Sequence, residues 1–160
     1  MMALALTEMS VISFVIVIAL LVIYSVLDIK DRKVRNEIVF GGLIVGSVIS
    51  LFTGHFLHYP ELHLTAILLV IPISYILFRL GSIGGADVKV LFTIALLSPG
   101  IEFGEWGQQM LEAIIGLGGE LVIMLLGGYI YWRSKDRETT PPLIPILLIG
   151  YVFVQLFALI

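Results

Sequence analysis

Cysteine is absent from all 160 residues, which removes disulfides, thiol catalysis and cysteine-ligated zinc from consideration. Charge is scarce too: Asp, Glu, Lys and Arg make up 13% of the chain, against roughly a quarter in soluble domains. With 59% hydrophobic residues and a mean hydropathy of +1.11, the chain reads as a polytopic membrane protein. It has no basic cluster with interleaved aromatics, so nucleic acid is not an expected partner. The first apolar run lacks a basic start and a small-residue cleavage site, and is therefore expected to be a retained helix. No soluble domain, long linker or low-complexity stretch interrupts residues 1–160, which read as one membrane-embedded domain. The three histidines, His55, His58 and His63, crowd residues 54–63, where Glu61 is the nearby carboxylate. That stretch reads as an interfacial loop, and no metal or cofactor is expected.

What the chain has instead is long apolar runs. Residues 9–27 are apolar enough to cross the hydrocarbon core, which takes roughly 20 residues, and this helix ends at Asp28. Residues 38–53 form the next, with Gly42 and Gly46 four apart for close packing. A third covers 62–80 and contains Pro72, and a short apolar run over 88–97 stops at Ser98-Pro99-Gly100. A glycine-rich helix over 110–132 holds Glu120, and the last follows Pro141-Pro142-Leu143-Ile144-Pro145 to Ile160. The fourth is short, because Asp87 to Pro99 covers only about 20 Å of a core about 30 Å thick. It is expected to sit in the outer part of the bilayer, with Asp87 below the membrane surface; the alternative is that residues 101–106 continue the crossing. The expected fold is all-α, with six transmembrane helices. All nine basic residues, Lys30, Arg32, Lys33, Arg35, Arg79, Lys89, Arg133, Lys135 and Arg137, fall on one side of this topology. Glu8, the histidines, Glu102 and Glu105 fall on the other. Basic loops stay inside, so both termini are placed outside a cell membrane, and Asp28 and Asp87 at its cytoplasmic face.

Two carboxylates brought close cannot comfortably both ionise, so one holds a proton while the other is charged near neutral pH. The charged one can take a proton from water as it attacks a peptide carbonyl, and the protonated one can donate to the carbonyl oxygen. This is aspartic-protease chemistry. Structural roles compete with it: Asp28 as an ordinary helix end, and Asp87, after Gly81-Ser82-Ile83-Gly84-Gly85-Ala86, as an N-cap.

Asp28-Ile29-Lys30-Asp31-Arg32-Lys33-Val34-Arg35-Asn36 and Gly84-Gly85-Ala86-Asp87-Val88-Lys89 resemble the two aspartate motifs of the type IV prepilin peptidases and archaeal preflagellin peptidases. The first matches in spacing, in the hydrophobic position and in the closing Asn36, with Arg35 where the family usually has proline. The second is similar to the family's Gly-x-Gly-Asp-x-Lys, in the variant with alanine before the acid. Pro142-Leu143-Ile144-Pro145 followed by Gly150 resembles the family's Pro-Phe-x-Pro segment. The resemblance covers essentially the whole chain. It implies a membrane aspartic endopeptidase that removes the short basic leader of pilin-like or archaellin-like precursors, with Asp28 and Asp87 catalytic. Gly84, Gly85, Lys89, Asn36, Pro142 and Pro145 are implied as supporting residues. Without cysteine or a long extra loop, the chain resembles a peptidase-only member lacking the N-methylating activity. The implied partners are precursor proteins and membrane lipid, and self-association stays open.

The family spacing selects Asp28 over Asp31, which is expected to pair with an arginine or a leader lysine. Arg79 reads as an interface anchor, and Trp106, Trp132, Tyr129 and Tyr131 as interfacial belts. Glu120 falls mid-helix, where it is expected to be protonated and hydrogen-bonded to another helix. Two other functions fit some of these features. A presenilin-type intramembrane protease shares Gly-x-Gly-Asp but has Pro-Ala-Leu where this chain has Pro-Pro-Leu. A small ion-coupled carrier could use Asp28, Asp87 and Glu120 as cation sites, although no internal repeat is evident.

Overall fold

The computed structural model describes residues 3, 4, 7–31, 34–135 and 140–157, with backbone alone at 3, 4 and 105. Arg32, Lys33 and Arg137 of the basic side lie outside the described residues, as do the last residues expected in the final helix. The regular structure of the described residues is helical, apart from a two-residue antiparallel pairing of β1 (Ala3–Leu4) with β2 (Gly104–Glu105). The helices are α1 (Glu8–Asp31), α2 (Asn36–Thr53), α3 (His55–His58), α4 (Pro60–Arg79), α5 (Gly85–Leu97), α6 (Gln109–Ser134) and α7 (Leu143–Phe157). Four of them, α1, α2, α4 and α6, are long and apolar enough to cross a membrane, while α7 is a shorter apolar helix of 15 residues.

The shortest of the main helices is also the centre. α5 packs against α1, α2, α4 and α7, and Val90, Leu91, Ile94 and Ala95 are wholly buried on it. An all-round apolar helix belongs inside protein. With neighbours covering it, α5 does not have to match the bilayer by its own length. Close approach of the helices depends on glycine: a Cβ at Gly46 of α2 would lie 2.4 Å from Leu97 Cδ1 of α5, and one at Gly42 of α2 would lie 2.1 Å from the Tyr24 hydroxyl of α1. Both expected packing glycines therefore face a neighbouring helix.

Helix ends differ from the sequence expectation in ways that move side chains. α1 runs on to Asp31, so Asp28 sits inside its last turn and not at its end. α5 starts at Gly85 with Gly84 as its N-cap, which makes Asp87 the third helical residue and not the cap. The histidine stretch is not a loop. His55 opens the short α3 and His63 lies in α4, both buried, while His58 and Glu61 are exposed. Their carboxylate is Glu102, whose Oε2 lies 3.2 Å from His55 Nε2, and His55 Nδ1 lies 2.9 Å from His63 Nε2.

After Leu97 the chain neither stays helical nor leaves the protein. Ser98, Ile101 and Glu102 are buried, and Gly100 lies on α6 where Gly116 has no side chain to block it. Irregular backbone is tolerated in such a setting only when its polar groups find partners. Here the Glu102 N–H donates to Gln155 Oε1 at 2.7 Å, Gln155 Nε2 donates to the Gly100 carbonyl at 2.9 Å, and the Ile101 N–H donates to Glu112 Oε1 at 3.1 Å.

Arg35, the residue at the proline position of the resemblance, caps α2 with φ −67 and ψ 140. Proline's ring fixes φ near −65°, so the backbone has the shape proline would impose without having proline. The Arg35 ion pair with Glu37, at 3.3 Å, is largely solvent-exposed and contributes little. Arg35→Pro is therefore expected to stabilise the fold by about 0.4–1 kcal/mol through a less free unfolded chain, read as a higher melting temperature in detergent.

Candidate active site

The end of the bundle where α1 stops and α5 starts holds a cavity of about 420 Å³. Three segments form it: Asp28 from the last turn of α1, residues 81–87 from the α4–α5 turn, and Thr140, Pro141 and Leu143 from the entry to α7. The turn folds back because Gly81 adopts φ +70, which non-glycine residues rarely take. Ser82 N–H then donates to the Leu77 carbonyl at 2.9 Å, closing the end of α4.

Asp87 is held by its own helix start. Its Oδ2 accepts the Gly84 N–H at 2.7 Å, the reach-back bond of a capping box. A Cβ at Gly84 would stand 3.2 Å from that oxygen, so a side chain there would crowd the carboxylate. Asp87 lies outside the four candidate spans and is 8% exposed. Burial pushes its carboxyl up to about 6, the Gly84 N–H works against the rise, and the charge on Asp28 adds to it. Asp28 is half-buried in the same cavity. The two acids that sequence spacing singled out, 59 positions apart, thus share one chamber and feel each other electrically. Replacing Asp28 by asparagine should lower the Asp87 pKa below about 6 while burial keeps it above its ordinary value, measurable by carbon NMR of labelled aspartate.

The supporting residues divide. Gly84 and Gly85 line the chamber with the acids. Lys89 does not: it donates to the Asn36 side chain and lies 5.9 Å from the Phe40 ring centroid. Lys89 and Asn36 therefore meet each other, tying the start of α2 to α5 beside the chamber. Pro142 stands just before α7 and Pro145 in its first turn, while the cavity wall is made by Pro141 and Leu143. Asp31 ends α1, is exposed and does not line the cavity.

The model of the type IV leader peptidase family matches residues 15–159. The chain belongs to that family. A preflagellin peptidase from Methanococcus voltae is 26% identical over 135 residues, an alignment covering 76% of this chain and 57% of the relative. The chain thus spans little more than half the length of that relative. No solved structure matches it.

Within this leader peptidase family member, the sequence motifs did not indicate Ser82, Ile83, Thr140 or Pro141 as cavity residues. Ser82 and Ile83 stand inside the glycine-rich stretch already quoted, so adjacency to Gly81 and Gly84 was an available signal. Thr140 and Pro141 reach the cavity only because α6 and α7 pack together, where a Cβ at Gly128 would lie 2.5 Å from Leu143 Cδ2.

Proposed function

We propose that the chain is an aspartic endopeptidase that removes the leader peptide of pilin-like or archaellin-like precursors at the cytoplasmic membrane face. The observation that carries this reading is the placement of Asp28 and Asp87 in one cavity, with Asp87 buried and its carboxyl raised to about 6. Burial supports a division of roles: Asp87, the more buried, as the acid that donates to the scissile carbonyl oxygen, and Asp28 as the base that takes a proton from the attacking water. The Gly84 N–H holds one Asp87 oxygen and leaves the other as the acid.

Membrane orientation is part of the proposal. Lys30, Arg35, Arg79, Lys89, Arg133 and Lys135 all stand at or near the helix ends surrounding this cavity. Basic segments stay cytoplasmic, which supports a six-helix arrangement with both termini outside and α5 reaching only part of the way across. The family membership and the named relative support precursors of the pilin and flagellin kind as substrates, and the absence of cysteine supports a peptidase without N-methylation.

The test is leader removal from a pilin-like precursor by the purified chain in detergent, with the new N-terminus read by mass spectrometry. Cleavage without any ion gradient is the expected result. No cleavage across a panel of precursors by folded protein, together with gradient-dependent cation uptake in vesicles, would replace the peptidase with a carrier.

A further inference from the structure

The opposite end of the bundle carries a second chamber, of about 430 Å³, that proteolysis at Asp28 and Asp87 does not use. Glu102, Glu112, Tyr59, Trp106 and Gln109 are in its wall. Its charge is one-sided. Its carboxylates are Glu102 and Glu112, and no lysine or arginine is among the described residues that line it. Glu102 and Glu112 are 6% and 8% exposed, although a buried carboxylate is costly without a counter-charge.

The protein supplies only part of that compensation. His55 Nε2 faces Glu102 Oε2, but its other ring nitrogen is taken up by His63. Glu102 Oε1 has no partner among the described residues, nor does Gln109 Oε1, nor the Trp106 indole N–H. Glu112 has one oxygen on the Ile101 N–H, and it fits there because Gly100 has no side chain: a Cβ at Gly100 would lie 2.3 Å from Glu112 Oε1. Unpaired buried polar atoms of this kind are uncommon in native proteins.

The character of the missing partner follows from shape and donors. Among the described residues, no group of three or more His, Cys, Asp or Glu is arranged to hold a metal ion. The volume is in the range of small-molecule pockets, and aromatic side chains in the wall, Tyr59 and Trp106, suit an organic cation. We propose that this chamber binds a primary ammonium group, from a free small amine or an ethanolamine lipid headgroup, with Glu102 and Glu112 as counter-charges and Trp106 in the wall.

Trp106 also supplies the readout. The chain has two tryptophans, so in a Trp132→Phe background emission reports on Trp106 alone. Putrescine and ethanolamine titrated into the full chain in detergent should give a saturable change. Choline, which offers no N–H to the unpaired oxygens, should bind about tenfold more weakly. The Glu102→Gln, Glu112→Gln double variant should lose about tenfold or more in affinity, and Tyr59→Leu, which leaves the carboxylates in place, should weaken binding several-fold. Nanodiscs separate the two sources. If headgroups fill the chamber, phosphatidylethanolamine discs blunt the response to free amine and phosphatidylglycerol discs do not; equal responses in both assign it to soluble amines. The proposal is overturned if amines produce no saturable change, if choline binds as tightly as ethanolamine, or if calcium chloride gives the response and amines do not.

Discussion

Asp28→Asn and Asp87→Asn should each reduce leader cleavage by about 10²–10⁴-fold, the range for removing a positioned acid or base, while Asp31→Asn cleaves close to the unmodified rate. The contrast is informative because Asp31 is three residues from Asp28 on the same helix but exposed and outside the cavity. Asp87→Asn is also a mild change structurally, since its amide oxygen can still accept the Gly84 N–H that now bonds Oδ2 at 2.7 Å. A loss of activity with an unchanged melting temperature would therefore be a loss of chemistry. Equal cleavage by all four proteins would remove the aspartate pair from the mechanism. Initial rates on one precursor, followed by gel shift at several enzyme concentrations, are sufficient to resolve such differences.

The second large effect is on stability. Gln155→Leu should destabilise the fold by about 2–4 kcal/mol, because two buried backbone groups lose their partner and each unpaired group costs about 1–3 kcal/mol. Gln155 is fully buried and bonds the Glu102 N–H and the Gly100 carbonyl with its two amide atoms. Leucine is similar in size but can do neither. Phe153→Leu, on the exposed face of the same helix, serves as the control and should stay within noise. Thermal melts in detergent would show the difference, and a Gln155→Leu protein as stable as the control would mean that the buried segment relaxes to find other partners.

Local chemistry was readable from the chain, and distant pairing was not. Asp87 stood out because the glycines that shape its turn are adjacent to it, and Asp28 because spacing to Asn36 is a local pattern. The contact of Lys89 with Asn36 joins residues 53 positions apart, and His55 meets Glu102 from 47 positions away. No periodicity encodes such pairs. The four-residue α3 reads as part of an interfacial loop because one turn of helix is too short to show a repeat, and the burial of His55 and His63 is consequently not legible in the sequence. Glu120 was rightly placed in mid-helix, and it is buried, yet no hydrogen bond from it to another helix is present among the described residues. Arg35 shows the opposite lesson: it stands where the resemblance has proline, and the backbone holds the proline angle regardless.

The burial of α5 bears on how the protein is made. At 13 residues, the helix falls well short of the roughly 20 that a crossing takes. Emerging alone from the ribosome, it is too short to cross the hydrocarbon core by itself. The helices that cover it include α7, the last in the described chain, so the helix that presents Asp87 reaches its packed setting only once α7 has been made.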